Sequence, residues 1–66
     1  MTLRQLLDLF DNWMDFIKLN DNKLRQIEAI DTIANVVDNG KHLNDEVVSF
    51  GFYDGQLSVR IDTIDL

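Results

Sequence analysis

The chain lacks cysteine and proline, and it has one histidine, three glycines and no apolar run longer than two residues. Without cysteine it can form neither the disulfides nor the thiolate metal sites that stabilise many very small domains. The short apolar runs argue against a transmembrane helix and against the core of a signal peptide. We therefore expect a protein of a reducing cytoplasm that has no membrane partner.

The residues that usually perform catalysis are also scarce. His42 is the only histidine, so a Ser-His-Asp or Cys-His arrangement cannot be built on conventional lines. Asp45 and Glu46 are adjacent, and neighbouring residues on a strand point to opposite faces. Asp38–Gly40 matches only a fragment of a calcium-binding loop, and the sequence has no glycine-rich phosphate loop. We expect no enzyme activity, no cofactor and no metal site.

Acidic residues outnumber basic ones by twelve to six, which gives a formal net charge of −6 in 66 residues. This charge disfavours direct binding to nucleic acid phosphates or anionic lipids, and it attracts a partner with a basic surface. The length allows one small α+β domain over residues 1–66 with a modest core. Formation of a homo-oligomer would be one way to bury more apolar surface.

The clearest local pattern is a hairpin over residues 47–61. Two segments with alternating apolar residues meet at Asp54-Gly55, the preferred pair for a two-residue loop because both positions need a positive φ. This turn predicts a register in which one face of the hairpin is wholly apolar. The apolar cross-strand pairs are Phe52 with Leu57, Phe50 with Val59, and Val48 with Ile61.

In the N-terminal half, Thr2 and Gln5 have the spacing of a capping box, and apolar residues follow at helical spacing. This pattern predicts a first helix over residues 2–11. Aromatic and β-branched residues then favour a strand over residues 13–19, after a polar turn. A single long helix that continues to Ile17 is the alternative, because its apolar residues would share one stripe.

Residues 20–23 form a polar turn cluster, and residues 24–29 are predicted as a second strand that completes a first hairpin. Asp31 or Thr32 can cap a second helix, for which Gly40 supplies the left-handed stop. The predicted order α-β-β-α-β-β gives a two-layer α+β domain, with helices on one face of a four-stranded antiparallel sheet. Two long helices packed on the C-terminal hairpin are the alternative fold.

Two features of the sequence suit the binding of a partner. On a helix, Asp8, Asp11 and Asp15 are spaced i, i+3 and i+7 and would share one face. Such a carboxylate stripe could imitate part of a phosphate backbone, although any amphipathic helix shows acids opposite its apolar face. Tyr53 beside the hairpin turn could anchor an interface, because tyrosine is rigid, large and polar at one end. Gly51 leaves a gap on the same face of the hairpin. We select Asp8, Asp11, Asp15 and Tyr53 as the partner-binding residues.

Two segments, Thr2–Phe10 with the nearby Trp13 and Glu46–Leu57, resemble small accessory proteins encoded by phages and mobile elements of Gram-positive bacteria. This resemblance implies a helix-first α+β domain and carries no catalytic residues. Short accessory genes of this kind often encode proteins that modify or block host machinery, including bacterial immunity. The resemblance therefore also implies a location in the host bacterial cytoplasm.

We expect a non-enzymatic phage accessory protein that inhibits a host defence or regulatory protein by stoichiometric binding through an acidic surface. Nucleic-acid mimicry is one version of this hypothesis. A second hypothesis is a homo-oligomeric sponge that sequesters a nucleotide immune signal, with Lys41, His42, Arg25 and Arg60 as its phosphate contacts. A small structural or assembly protein is a third.

Overall fold

A computed structural model describes residues 1–63 of the chain. Within these residues there are two short helices and four strands. In chain order they are α1 (Leu3–Leu7), β1 (Phe16–Asn20), β2 (Asp31–Thr32), α2 (Ile33–Asn39), β3 (Glu46–Tyr53) and β4 (Gln56–Asp62). Neither helix in this part of the chain is long and apolar enough to cross a membrane.

The four strands form one mixed sheet in the order β2-β1-β4-β3. The strand β4 pairs antiparallel with β3 and parallel with β1, and β1 pairs antiparallel with the two-residue β2. The predicted α+β domain with a four-stranded sheet is confirmed, whereas the prediction of a wholly antiparallel sheet is wrong. β1 and β4 lie side by side because their apolar residues, such as Ile17 and its neighbour Leu57, are buried in the same core.

The core lies between one face of this sheet and the two helices. Among the described residues, nine aliphatic side chains are buried in one cluster: Leu3, Leu6, Leu7, Ile17, Leu19, Ile33, Leu57, Val59 and Ile61. Burial of each such side chain is worth about 1.5–3 kcal/mol relative to exposure. Because residues of both helices belong to this cluster, both helices pack on the same face of the sheet. Within residues 1–63, no helix covers the opposite face.

The helix α1 begins as predicted but ends earlier than predicted. The Thr2 Oγ1 accepts a hydrogen bond from the Gln5 N–H at 3.3 Å, and the Gln5 Oε1 accepts one from the Thr2 N–H at 2.9 Å, so the capping box is confirmed. The predicted end at residue 11 is wrong. The Leu7 carbonyl accepts instead from Trp13 Nε1 at 3.0 Å and from the Phe10 N–H at 3.1 Å, which turns the chain away from the helix axis. The alternative with a long first helix is wrong for the same reason.

The helix α2 has the predicted ends. Thr32 is its N-cap, and the Thr32 Oγ1 accepts from the Asn35 N–H at 3.2 Å. Asp31, the other residue considered for this role, accepts a hydrogen bond from Asn35 Nδ2 at 2.8 Å. Gly40 follows the helix with a φ of 74°, the left-handed conformation that the sequence predicts there.

Residues 24–29, predicted as the second strand, form a loop, and the strand in this region is the shorter β2. Leu24 has a φ of 62°, a left-handed conformation that is uncommon for a residue other than glycine and does not fit a strand. Beyond it, Gln26 forms an isolated antiparallel bridge with Asn20. The predicted strand over residues 24–29 is therefore wrong. The chain does turn back antiparallel to β1 after the predicted polar turn, since the Arg25 carbonyl accepts from the Asp21 N–H at 2.9 Å and the Leu19 carbonyl accepts from the Ile27 N–H at 3.0 Å.

The carboxylate of Asp21 organises this loop. Its Oδ1 accepts hydrogen bonds from the N–H groups of Lys23 at 2.8 Å and Arg25 at 2.9 Å, and its Oδ2 accepts from Arg25 Nε at 2.7 Å. The hydrogen bond from the Arg25 N–H lowers the pKa of Asp21 below its ordinary value of 3.8, and the Arg25 guanidinium and the Lys23 N–H add to this effect. Burial of the Asp21 side chain opposes the shift. Capture of nearby N–H groups by an aspartate competes with a strand ladder.

The C-terminal hairpin forms as predicted around its turn. Asp54 and Gly55 both have a positive φ, 52° and 75°, as a two-residue hairpin loop of this type requires. Two of the predicted apolar cross-strand pairs are confirmed: Phe52 with Leu57 and Phe50 with Val59.

A β-bulge changes the register at the other end of the hairpin. Val47 lies opposite Ile61, so the predicted pair of Val48 with Ile61 is wrong. The irregularity falls between Val47 and Ser49, where Val48 is the extra residue. Because both valines are apolar, an alternating pattern fits either register, and Val47 is the one that packs against the core.

The substitution Asp21→Asn should destabilise the domain at neutral pH, because an amide cannot replace the charged bond to the Arg25 guanidinium. A carboxylate whose pKa is lowered by folding stabilises the folded state when the pH is above its pKa in the unfolded chain. This contribution is lost as the pH falls through its pKa in the folded protein. The difference in urea midpoint between wild type and variant should therefore shrink as the pH falls below 3.8. A difference that does not change with pH would contradict this role.

The matched control is Asp11→Asn. The Asp11 carboxylate is exposed and makes no hydrogen bond or ion pair within residues 1–63. Its urea midpoint at neutral pH should equal that of the wild type.

Candidate protein-binding surface

The segment between α1 and β1, residues 8–15, is called here the anchored loop because it is bonded to both helices. The Trp13 side chain donates to the last carbonyl of α1 at 3.0 Å. The Trp13 carbonyl accepts from the Ala34 N–H at 2.9 Å, and the Asp15 carbonyl accepts from the Ile33 N–H at 2.9 Å. The anchored loop thus satisfies groups at the end of one helix and at the start of the other, which neither helix can satisfy internally.

The anchored loop carries acidic and apolar side chains on its outer surface. Asp8 and Asp11 are exposed and Asp15 is half-buried, while Leu9 and Met14 are 69% and 70% exposed. A segment that is already ordered loses less conformational entropy when a partner binds. Carboxylates beside exposed methionine and leucine suit a partner surface that is basic and partly apolar.

The three aspartates predicted as a helical stripe do not lie on one helix. The helix α1 ends at Leu7 and Asp8 is its C-cap, while Asp11 and Asp15 belong to the irregular part of the anchored loop. Asp8 accepts a hydrogen bond from Arg4 Nε at 3.3 Å, an exposed ion pair of small energetic value. The predicted helical spacing is therefore wrong, and the three carboxylates share a loop instead.

Tyr53 is separated from these aspartates. It ends β3 on the face of the sheet that carries no helix from residues 1–63, and it lines a shallow cavity there. The Tyr53 ring lies directly over Gly51, as shown by the overlap that a Cβ added to this glycine would have with the ring. The gap predicted at Gly51 is therefore filled by Tyr53 itself. The four residues predicted as one partner-binding set are divided between two surfaces.

An apolar surface on β3 extends the anchored loop. The rings of Phe10 and Phe52 are in contact, with centroids 6.3 Å apart and planes at 31°. Phe52 is 48% exposed and Phe50 is 55% exposed, because β3 is the edge strand of the sheet. The alternating pattern predicts an apolar face for these residues and contains no signal that the strand lies at an edge, so their exposure is not predictable from the sequence.

The histidine belongs to a separate polar cluster. His42 Nδ1 lies 3.1 Å from Asp45 Oδ2 and its Nε2 lies 3.2 Å from Glu28 Oε1, with the side chain 21% exposed. Lys41 Nζ is 3.8 Å from the same Glu28 oxygen. The adjacent cavity of about 110 Å³ has no serine or threonine among its described lining residues. The cluster therefore ties a loop to a turn and offers the histidine no hydroxyl to activate.

The four residues considered as phosphate contacts of a nucleotide sponge do not converge on one site. Lys41 and His42 face a shared carboxylate, Arg25 is bonded to Asp21, and Arg60 lines the cavity on the helix-free face. Within residues 1–63, no group of three or more acidic, histidine or cysteine side chains is arranged to hold a metal ion.

No protein-family model matches the chain, and no curated protein or solved structure matches it. Fold and surface define a small α+β domain with a four-stranded mixed sheet and an exposed loop fixed by hydrogen bonds. The function of the chain must therefore be inferred from the geometry of its own side chains.

The substitution Trp13→Phe should lower the free energy of unfolding by about 0.5–1.5 kcal/mol, because it removes one of the two hydrogen bonds accepted by the Leu7 carbonyl. Hydrogen exchange at the Ala34 amide, which donates to the Trp13 carbonyl, should become faster because the anchored loop is held less firmly. Chemical unfolding and amide exchange measure the two effects.

Met14→Ala is the matched control in the same loop. Its side chain is largely exposed, so the unfolding free energy should change by less than about 0.5 kcal/mol. Equal effects of the two substitutions would show that the indole hydrogen bond does not anchor the loop.

Proposed function

We propose that this protein acts without catalysis, by stoichiometric binding of a partner protein that has a basic surface. The observation that carries the proposal is the anchored loop, which presents three carboxylates and two exposed apolar side chains on a segment bonded at both ends. A preformed loop of this composition binds by surface complementarity and needs no cavity. The cavity beside the single histidine has no serine or threonine among its described lining residues. The histidine therefore has no hydroxyl there to activate, which supports a non-enzymatic role.

Charge and apolar contacts have different parts in this proposal. The net charge of −6 would speed the encounter with a basic surface and make the association rate depend on salt. Leu9 and Met14, with Phe10 and Phe52 beside them, would supply the apolar contacts that slow dissociation. The aspartates then set orientation and partner choice more than total affinity.

We propose a host defence or regulatory protein in the bacterial cytoplasm as the partner. The support for this choice is the resemblance of Thr2–Phe10 and Glu46–Leu57 to accessory proteins of phages and mobile elements. Nucleic-acid mimicry loses the helical spacing of carboxylates that supported it, and the proposal does not depend on it. Complementarity to a basic protein surface requires only that the carboxylates be exposed and ordered.

The test compares Asp11→Lys with Asp38→Lys as bait in affinity capture from a lysate of a Gram-positive host. Both replace an exposed aspartate and change the net charge equally, but Asp38 lies in α2, outside the anchored loop. A like charge opposed to a basic partner should weaken capture by Asp11→Lys by at least about tenfold. The Asp38→Lys variant should keep the partner of the wild type, and native mass spectrometry should give a fixed stoichiometry.

Circular dichroism of both variants should match the wild type, which separates lost binding from lost folding. Equal capture by the two variants would reject the anchored loop as the interface. Turnover of a substrate by the purified protein would reject the non-enzymatic role.

A further inference from the structure

The face of the sheet without a helix from residues 1–63, called here the open face, differs chemically from the rest of the molecule. Successive residues of a strand point to opposite faces, so the positions that alternate with the buried ones lie side by side on the open face. The registers of β1, β4 and β3 arrange them in three rows: Phe16, Gln56 and Tyr53; Lys18, Ser58 and Gly51; Asn20, Arg60 and Ser49. None of these positions is acidic, although acids outnumber bases by twelve to six in the chain.

Two acids form the next row beyond these three, Asp62 of β4 and its partner Glu46 of β3. The Glu46 carboxylate accepts a hydrogen bond from the N-terminal amine of Met1 at 3.2 Å. Asp62 accepts a hydrogen bond from Asn22 Nδ2 at 2.9 Å, so this carboxylate is engaged at the margin of the open face. The centre of the open face therefore carries two cations, uncharged polar groups and aromatic rings.

Two aromatic side chains lie in the first row. The Tyr53 ring crosses Gly51, which gives it a defined position, and the residue is nevertheless largely exposed. Phe16 lies in the same row on β1 and is also exposed. Aromatic rings on an uncovered sheet are surfaces on which nucleic-acid bases stack.

The two cations are diagonal neighbours. Lys18 pairs with Ser58 and Arg60 pairs with Asn20 on the parallel strands β1 and β4, which places the two Cα atoms about 8 Å apart from the strand spacing and rise. Two long side chains at this separation can reach one phosphate group.

Arg60 has a feature that points to an anionic ligand. Its Nε is buried and has no hydrogen-bond acceptor within residues 1–63. A buried donor without an acceptor costs free energy. Phosphate oxygens match the planar donor geometry of a guanidinium, so a small shift of the side chain onto a phosphate would remove this cost.

A shallow cavity of about 290 Å³ lies among these groups, and its lining includes Asn20, Ser49, Tyr53, Ser58 and Arg60. Sites for small ligands measure about 300–1,000 Å³. This cavity lies just below that range and is shallow, so a bound ligand would stay partly exposed, and Lys18 would reach its phosphate from outside the lining. The hydroxyl and amide groups are uncharged donors and acceptors that can bond to the edge of a base.

We propose that the open face binds a nucleoside phosphate, with the base stacked on Tyr53 and the phosphate held by Lys18 and Arg60. This site is independent of protein binding by the anchored loop. The same chemistry could come from a free nucleotide or from the end of a single strand. The net charge of −6 favours the free nucleotide, because each further phosphate of a strand meets repulsion from the rest of the protein.

The experiment is a titration of the ¹⁵N-labelled full chain with AMP, adenosine and a short single-stranded oligoadenylate, followed by two-dimensional amide spectra. AMP should produce saturable shifts at amides of β1, β4 and the Gly51 region of β3. Adenosine should bind about tenfold more weakly, since it lacks the phosphate. Absence of saturable shifts with millimolar AMP, or shifts confined to residues outside the three strands, would overturn the proposal.

Variants assign the contacts. Lys18→Gln and Arg60→Gln should each weaken AMP binding by about tenfold, the effect of one charge-assisted hydrogen bond. Tyr53→Ala should weaken it by about tenfold through loss of stacking, whereas Tyr53→Phe should retain it. Lys23→Gln, which removes a positive charge from an exposed loop residue, should bind AMP like the wild type.

If Arg60→Gln fails to fold, Lys18→Gln and the two tyrosine variants decide the outcome. Equal losses in Lys18→Gln and Lys23→Gln would show that only net charge matters and would overturn the site. Comparison of AMP with the oligoadenylate distinguishes a free nucleotide from the end of a single strand as the ligand. Tighter binding of AMP per site supports a free nucleotide, whereas tighter binding of the oligoadenylate supports the same site for the end of a strand.

Discussion

The parallel pairing of β1 with β4 is the constraint on which the rest of the structure depends. It joins the two halves of the chain and places Leu57 and Val59 in a central strand that is bonded on both sides. Parallel strands cannot be joined by a short turn, and the chain between these two includes α2, whose Ile33 is buried in the same core. One face of the sheet is thereby covered, β3 is left at an edge, and the other face has no helix from residues 1–63.

The features that the sequence predicts correctly are those whose chemistry is local. The capping box of Thr2 and Gln5, the glycine after α2 and the Asp54-Gly55 turn depend on side chains and φ angles within a few residues. The parallel pairing is different, because alternation identifies the apolar face of a strand but not its neighbour. The turn after β1 is predicted from its polar residues, but the strand predicted over residues 24–29 is wrong. Its apolar spacing resembles a strand, whereas the Asp21 carboxylate accepts hydrogen bonds from the Lys23 and Arg25 N–H groups that a ladder would need.

The sequence predicts which types of residue form the candidate surfaces better than it predicts where these residues lie in the fold. The aspartates of the anchored loop are exposed or half-buried, but the bond from Trp13 to the end of α1 removes them from a helix. Tyr53 is an exposed aromatic residue beside a turn, as predicted. Its place on the same face of the sheet as Lys18 and Arg60 follows only from the registers of three strands. A pattern along the chain cannot reveal which residues of separate strands become neighbours.

The acidic composition also bears on the exposed edge of β3, where residues 48–53 carry no charge. Its first residues are covered, since the Val47 N–H donates to the Met1 carbonyl at 2.8 Å and Thr2 bridges to Glu46. The bulge at Val48 adds twist, which discourages pairing with another strand. In addition to these contacts and the bulge, the net charge of −6 opposes the approach of a second copy of the chain. The same charge that favours a basic partner therefore also counteracts edge-to-edge association. The centre of the open face, where none of the nine aligned positions is acidic, is where an anionic ligand meets the least local repulsion.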